Sequence, residues 1–240
     1  MSENGSALQR GSLVDQAIDR IRDYIRTNNL KVGEVLPGEG KFAADFGVSR
    51  AVMREAFGAL AALRQIDVAN GRRARVAAID GSVMAWSIDH GVATAQITVS
   101  DVWDVRRVLE LRTVELAVLN RSDADAAAII AAAEAMAHSQ ADPSALTAAD
   151  VAFHQAIARS CGNPLYYQIV RSFGSLMDEA VPRAWKTRQT EQQRGNMLRI
   201  HQEIAQAVAG RDRSRAISAM DLHFDTSIGD MMRETSGKYG

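Results

Sequence analysis

Two short helical segments joined by a tight turn, in residues 36–63, constrain this chain more than any other feature. Phe42 and Phe46 are spaced to lie on one face of the first segment. Gly47 follows as a residue that readily takes positive φ and ends a helix, and Ser49 is a typical cap for the next one. Two helices joined in this way predict a helix-turn-helix.

The second segment separates an apolar face from a basic one. Arg50 and Arg54 lie four residues apart at its N-terminal end, which is the part of a recognition helix that enters the major groove. An arginine there can donate two hydrogen bonds to guanine or bind a phosphate. The alternative is an ordinary pair of surface helices with solvated arginines. The inward stripe consists of Val52, Met53, Ala56, Leu60 and Leu63.

The flanking residues favour a winged helix. An amphipathic helix is predicted over 12–28, and short strand-like runs at 66–69 and 75–77 surround Asn70-Gly71, a strong hairpin signal. Arginines in such a wing reach phosphates or an adjacent minor groove, although a solvated basic turn would have the same composition. The wing arginines are Arg72, Arg73 and Arg75.

These motifs resemble the DNA-binding signature of the GntR superfamily of bacterial regulators. The matching residues are Leu36-Pro37-x-Glu39, Val48-Ser49-Arg50-x-x-x-Arg54-Glu55-Ala56 and Leu60. The resemblance implies contacts with operator DNA from the start of the second helix and from the wing. Gly40 and Arg73 depart from the family pattern, which usually has Arg and Gly there, so the operator is expected to differ from the common half-site. The predicted DNA-contact residues are Ser49, Arg50, Arg54, Asn70, Gly71, Arg72 and Arg73.

Length and charge indicate more than one domain. The chain has 240 residues, enough for two ordinary domains, and a net charge of -1. Residues 1–78 hold 12 Lys/Arg and 9 Asp/Glu, whereas the remainder holds 16 and 20. A basic N-terminal part suits a nucleic-acid module joined to another domain. The predicted divisions are a flexible tail at 1–11, the winged helix-turn-helix at 12–78, a linker with one short helix at 79–95, and a helical effector domain at 96–240.

The C-terminal part is predicted to be a bundle of antiparallel helices. Caps, prolines and short loops separate the segments, and Pro182 is expected to kink the fourth. The fold class is therefore mainly α, with a small β-hairpin wing and a six- to seven-helix bundle. The predicted helices cover about 101–120, 122–139, 142–160, 163–187, 191–209 and 213–234.

Composition excludes several classes of protein. No apolar run approaches the roughly 18 residues of a membrane span, so no membrane partner is expected. The single Cys161 excludes an intramolecular disulfide framework and fits a reducing cytoplasm. We expect a cytoplasmic protein.

One carboxylate and three imidazoles in the bundle are candidate metal ligands. Asp150 and His154 are four residues apart and project from one helix face, while His201 and His223 lie among apolar neighbours on later helices. Such a set suits Zn²⁺, Ni²⁺, Mn²⁺ or Fe²⁺. The alternatives are core histidines and a hydrogen-bonded Asp–His couple.

The bundle also resembles the FCD effector domain of the FadR subfamily. The matching residues are Arg106-x-x-Leu109-Glu110, Asp150-x-x-Phe153-His154, Asn163-Pro164, His201 and His223. The resemblance implies that Asp150, His154, His201 and His223 hold a divalent metal, most simply zinc, and that the effector is a small organic or sugar acid. The predicted effector-binding residues are Arg106, Arg183 and Trp185. Arg106 could instead form an intrahelical pair with Glu110, and Trp185 could be a core residue.

The leading hypothesis is a non-enzymatic, ligand-responsive regulator of transcription. It is expected to be a homodimeric repressor that a small acid releases from its operator. One alternative is a metal-dependent hydrolase or lyase, although no general base beside the metal has support from a motif. The other is a regulator whose signal is free metal.

Overall fold

The computed structural model describes residues 12–69 and 71–236, with side chains up to 227. The chain separates into two compact units, Met1–Asp80 and Gly81–Gly240. The predicted tail at 1–11 and the predicted DNA contact Asn70 lie outside the described residues. Within the described part, no helix is both long and apolar enough to cross a membrane.

The first unit is a winged helix-turn-helix. It contains α1 (Leu13–Thr27), α2 (Glu39–Phe46) and α3 (Arg50–Ala62). Gly47 ends α2 at φ +68°, and the Ser49 hydroxyl caps α3 by accepting a hydrogen bond from the Val52 amide. The three helices bury a common core, which confirms the predicted fold. Its largest fully buried side chains are Ile21, Leu36, Phe42, Met53, Leu60 and Ile66.

The wing is shorter in its strands and longer in its loop than the sequence predicted. Strands β1 (Ile66–Asp67) and β2 (Arg75–Val76) pair antiparallel, with Ile66 opposite Val76. An isolated bridge joins Val35 to Arg75, so the segment before α2 takes part in the pairing. The segment bonds to Ala74 and Val76 on the edge of β2 opposite β1, and the strands themselves end at Asp67 and begin again at Arg75, short of the predicted runs.

The second unit is entirely helical in its described residues, as predicted. Five N-caps have side-chain hydrogen bonds to the first turn, and two of these helices begin with proline. The helices pack around a core whose largest side chains include Phe153 and Phe224. They are α4 (Ser82–Ala93), α5 (Val99–Asn120), α6 (Asp123–His138), α7 (Pro143–Ser160), α8 (Pro164–Ser172), α9 (Gly174–Thr187), α10 (Glu191–Ala209) and α11 (Arg213–Ser236).

Two segments of this unit differ from the prediction. The linker helix around 83–88 is the longer α4, and the segment predicted as one helix over 163–187 is α8 followed by α9. The break lies at Phe173, where its amide donates to Val170 and the Ser172 hydroxyl donates to the Ile169 carbonyl. These tighter bonds interrupt the regular ladder there, whereas the helix continues through Pro182.

Candidate functional site

The first candidate site is the basic surface of the winged unit. Arg50 begins α3, and both Arg50 and Arg54 are exposed. Arg54 Nε lies 4.0 Å from Oε2 of Glu39 at the start of α2, a contact that the sequence prediction missed. A Cβ placed on Gly40 would lie 4.0 Å from Nη2 of Arg50. The absence of a side chain at position 40 therefore leaves the Arg50 guanidinium open to solvent on that side.

The wing carries further residues predicted to contact DNA, and its loop lies beside the start of α2. Gly71 takes φ +72°, and Arg72 and Arg73 are exposed beside it. The wing loop and the start of α2 line one open concave surface that includes Gly38. Arg75 differs from its neighbours because its guanidinium donates to the Gly33 carbonyl at 2.6 Å, which holds the link before α2.

The second candidate site is a cluster of three buried imidazoles at the centre of the bundle. His154 projects from α7, His201 from α10 and His223 from α11. One potential ligand atom from each ring lies within 4.8 Å of the other two. The ring centroids of His201 and His223 are 4.7 Å apart, and those of His154 and His223 are 4.9 Å apart. The structure thus brings together the three predicted histidines from three separate helices.

The cluster leaves buried ring nitrogens without a hydrogen-bond partner among the described residues. These atoms are Nε2 of His154 and Nδ1 of His223, while Nε2 of His201 faces the Asp150 carboxylate. His201 Nδ1 donates to the Met197 carbonyl at 2.9 Å, which directs Nε2 toward the cluster side. The Glu110 carboxylate contacts Nδ1 of His154 and orients that ring in the same way. Oriented imidazoles with free lone pairs fit a divalent metal ion.

Asp150 lies beside this cluster, with its Oδ1 3.3 Å from Nε2 of His201. Burial alone would raise the pKa of Asp150, but the hydrogen bond with His201 and the nearby positive charges lower the pKa to about 2. Burial and the neighbouring imidazoles hold the pKa of His223 well below its ordinary value. At neutral pH the site therefore presents a carboxylate and a neutral imidazole, the forms in which both side chains bind metal.

Arg106 forms a buried ion pair beside the cluster. Its Nε lies 2.7 Å from Oε1 of Glu110, and the two residues are 3% and 1% exposed. Burial would raise the pKa of Glu110, but the charge of Arg106 and the contact with His154 lower it to about 2. The Arg106 guanidinium also stacks on the Trp103 ring, 4.8 Å from its centroid. The intrahelical pair expected as an alternative is therefore formed, at a position that also borders the site.

Glu110→Gln is expected to destabilise the second unit by about 3 kcal/mol, because a buried Arg106 would lose its counter-charge. Glu179→Gln is the matched control, since it neutralises an exposed pair with Arg183 at the same helical spacing and should change stability by less than about 0.5 kcal/mol. Urea denaturation measures both. Because the folded pKa of Glu110 is depressed, the buried pair stabilises the fold above about pH 4.5 and loses this effect as the pH falls toward 2. Equal unfolding midpoints for the two variants would contradict this assignment.

A small cavity of about 30 Å³ adjoins the cluster. This volume accommodates one or two waters, so side chains must move to admit an organic acid. Asp150 and His223 line it on the cluster side. The remaining lining residues are Trp103, Arg106, Met136, Leu146, Val181, Ala184, Trp185, Arg188, Met197 and Ser227.

Two of the three predicted effector-binding residues line this cavity and the third does not. Arg106 and Trp185 line it, but Arg183 does not, because its side chain is 57% exposed and pairs with Glu179. Arg188, which the sequence prediction missed, lies in the cavity wall and is 5% exposed. Arg188 follows the last residue of α9 and takes φ -83° and ψ 88°, so helical spacing gave no signal for it.

The charges around the cavity would favour an anionic ligand once a divalent ion is bound. Among the described groups, Arg106 and Arg188 are balanced by the carboxylates of Glu110 and Asp150. A divalent ion on the imidazoles would add two positive charges in a site of low dielectric. A carboxylate would offset that excess and present oxygen to both the ion and a guanidinium.

Comparison with known proteins identifies relatives of both units. Residues 13–76 match the model described as bacterial regulatory proteins, gntR family, and residues 101–226, over half of the chain, match the FCD domain. The chain is 28% identical over 212 residues to the HTH-type transcriptional regulator LutR of Bacillus subtilis (strain 168), covering 87% of this chain and 95% of the relative. It is 28% identical over 193 residues to the galactonate operon transcriptional repressor of Escherichia coli (strain K12), covering 78% and 82%.

A solved structure supports the fold. Streptococcus agalactiae GntR aligns with a TM-score of 0.66 and 22% sequence identity, covering 89% of this chain and 97% of that one. At this level of identity the likeness concerns the fold alone.

Proposed function

The chain belongs to the GntR family of bacterial regulators and carries an FCD domain, and from this premise we propose that it is a repressor released from its operator by a small organic or sugar acid. The observation that carries the ligand-binding part is the cluster of three buried imidazoles, with free ring nitrogens, beside a cavity lined by two arginines. The relatives that match along most of the chain are named as regulators of transcription.

The winged unit would bind double-stranded operator DNA. In this proposal Arg50 and Arg54 enter the major groove from the start of α3, and Ser49 contacts the sugar-phosphate backbone of the DNA. The wing, with Gly71, Arg72, Arg73 and the predicted contact Asn70, would approach phosphates or the adjacent minor groove. The exposure of Arg50 and Arg54 supports this assignment.

The bundle would hold one divalent ion through His154, His201 and His223, with Asp150 as the carboxylate ligand. We propose zinc, which nitrogen and oxygen ligands of this kind suit, although the same donors accept Ni²⁺, Mn²⁺ or Fe²⁺. When bound, the ion supplies positive charge and an open coordination position. Glu110 and the Met197 carbonyl keep two of the rings oriented toward it.

The effector would be an organic anion that the cavity admits after its wall rearranges. Arg106 and Arg188 offer guanidinium groups to a carboxylate, while Trp185 forms part of the wall. Arg183 is exposed, so in this proposal it has no direct part in binding. That one relative is named for a galactonate operon supports a sugar acid.

A homodimer is the form in which such a regulator would match a palindromic operator. α5 carries large apolar side chains on its outer face as well as in the core, and exposed apolar side chains grouped on one helix face are typical of an interaction surface. We propose that a second copy covers it. The outer residues are Val105, Val108 and Leu119, which are 51%, 65% and 60% exposed.

The test of this function begins with selection of a DNA duplex from a random pool by the metal-loaded protein. The affinity of the protein for that duplex is then measured with and without each candidate acid. A panel of lactate, malate, gluconate and galactonate is expected to contain an acid that lowers operator affinity about tenfold or more, which is a usual size for coupling between sites. Fluorescence anisotropy measures the affinity, and sedimentation of the complex should give two chains per duplex. The His201→Ala/His223→Ala variant should bind the duplex and fail to respond.

The two alternatives have different outcomes in the same assay. Release of DNA by metal alone, without an acid, would make the protein a metal sensor. Consumption of a bound acid would make the bundle an enzyme. Operator affinity unchanged by every acid and by metal would contradict the effector proposal and leave the DNA-binding proposal intact.

A further inference from the structure

Trp103 places a hydrogen-bond donor without a partner in the wall of the cavity. The residue is 4% exposed and lines the cavity beside Arg106. Its Nε1 is buried and has no hydrogen-bond partner among the described residues. Buried indole N–H groups normally have a partner, because a donor taken from water without one is costly. This atom therefore points to a ligand oxygen that completes the site.

The surrounding contacts hold the indole in place. One face stacks on the Arg106 guanidinium, which is itself fixed by Glu110. The ring also belongs to the apolar core of the bundle. A donor fixed in this way selects among ligands, because a ligand without an acceptor at that position leaves the N–H unsatisfied.

We propose that Trp103 Nε1 donates to a hydroxyl oxygen of the effector, and that this bond makes the cavity selective for hydroxylated over plain carboxylic acids. Ser227, which is 4% exposed, lies in the same wall and adds a second group able to bond a hydroxyl. This assignment rests on the proposed function, because it specifies the class of acid that releases the operator. Trp103 is a specificity-determining residue in this proposal, and the metal ligands keep their separate role.

Trp103→Phe tests the proposal because it removes the N–H and keeps an aromatic ring against Arg106. Metal-loaded wild type and variant are titrated calorimetrically with lactate against propanoate, malate against succinate, and gluconate against hexanoate. The variant is expected to lose about tenfold in affinity for the hydroxylated member of the pair that binds, and less than about twofold for its plain partner. Trp86→Phe, at an exposed position, is the control and should change neither.

The indole N–H resonances of the wild type provide a second readout that does not depend on the variant. The resonance that disappears in Trp103→Phe identifies this atom, and it should shift downfield when the hydroxylated acid binds and not when the plain acid binds. The role of Trp103 would be overturned if Trp103→Phe lost equal affinity for both members of a pair, or if the indole resonance shifted equally with the hydroxylated and the plain acid. Either outcome would leave the effector proposal standing. If no acid binds the metal-loaded wild type, the effector proposal itself fails, and this assignment fails with it.

Discussion

Arg54→Ala is expected to abolish detectable operator binding at physiological salt, a loss of about 100-fold. If Arg54 contacts guanine, the bidentate contact contributes about 1–3 kcal/mol of discrimination. If Arg54 contacts a phosphate instead, it still contributes to operator affinity, so its removal weakens binding in either case. Arg54 is exposed near the start of α3, with its side chain 78% exposed and 4.0 Å from Glu39, so little packing is lost on truncation. Anisotropy titrations with the selected duplex at fixed salt measure the change.

Arg26→Ala is the matched control for this experiment. Arg26 belongs to the same unit, and its side chain is 81% exposed and pairs with Asp23 on α1. Both variants remove one positive charge, so the difference between them reports position rather than net charge. Arg54→Ala should keep the response of the bundle to metal and acid. Operator affinity equal to that of the wild type would contradict a DNA contact by Arg54.

The His201→Ala/His223→Ala variant is expected to lose the bound divalent ion that the wild type retains, about one per chain. Two of the three converging imidazoles are removed, and His154 with Asp150 would keep too few donors for a closed site. Elemental analysis after purification without chelators measures the metal content. The thermal midpoint of the wild type should fall on treatment with a chelator, whereas that of the variant should not move.

The His90→Ala/His138→Ala variant controls for the number of histidines removed. Both residues are exposed, and His138 Nδ1 contacts only the Glu134 carbonyl among the described residues. This variant should hold the same metal as the wild type. Absence of metal from the wild type, even after reloading, would leave the three buried histidines as core residues, and effector binding would then depend on Arg106 and Arg188.

The elements of the fold could be predicted because their signals are local. Ser49 and Gly47 mark the start of one helix and the end of another through bonds to residues a few positions away, and the same holds for the caps of the bundle. The break at Phe173 had no such signal. Proline is visible in sequence, but the helix continues through Pro182, and the interruption lies where the Phe173 amide and the Ser172 hydroxyl bond to carbonyls three residues back.

The candidate site was only partly accessible from sequence. The residue types of the predicted ligands suggested a metal site, but spacing left core histidines as an alternative, and the resemblance to a family supplied the set. Arg188 and Arg183 show the limit most clearly. Arg183 lies within α9 and faces solvent, whereas Arg188 follows the last residue of α9 with a non-helical backbone and lines the cavity.

By itself, the sequence determined the winged helix-turn-helix, the helical bundle and the residue types available for binding, since caps, turns and periodicity depend on neighbours along the chain. Only the tertiary structure decided that three imidazoles converge, that Glu110 orients His154, and that Trp103 presents a donor without a partner at the cavity. These relations join helices far apart in sequence. Their geometry depends on how the bundle packs, which no local pattern encodes.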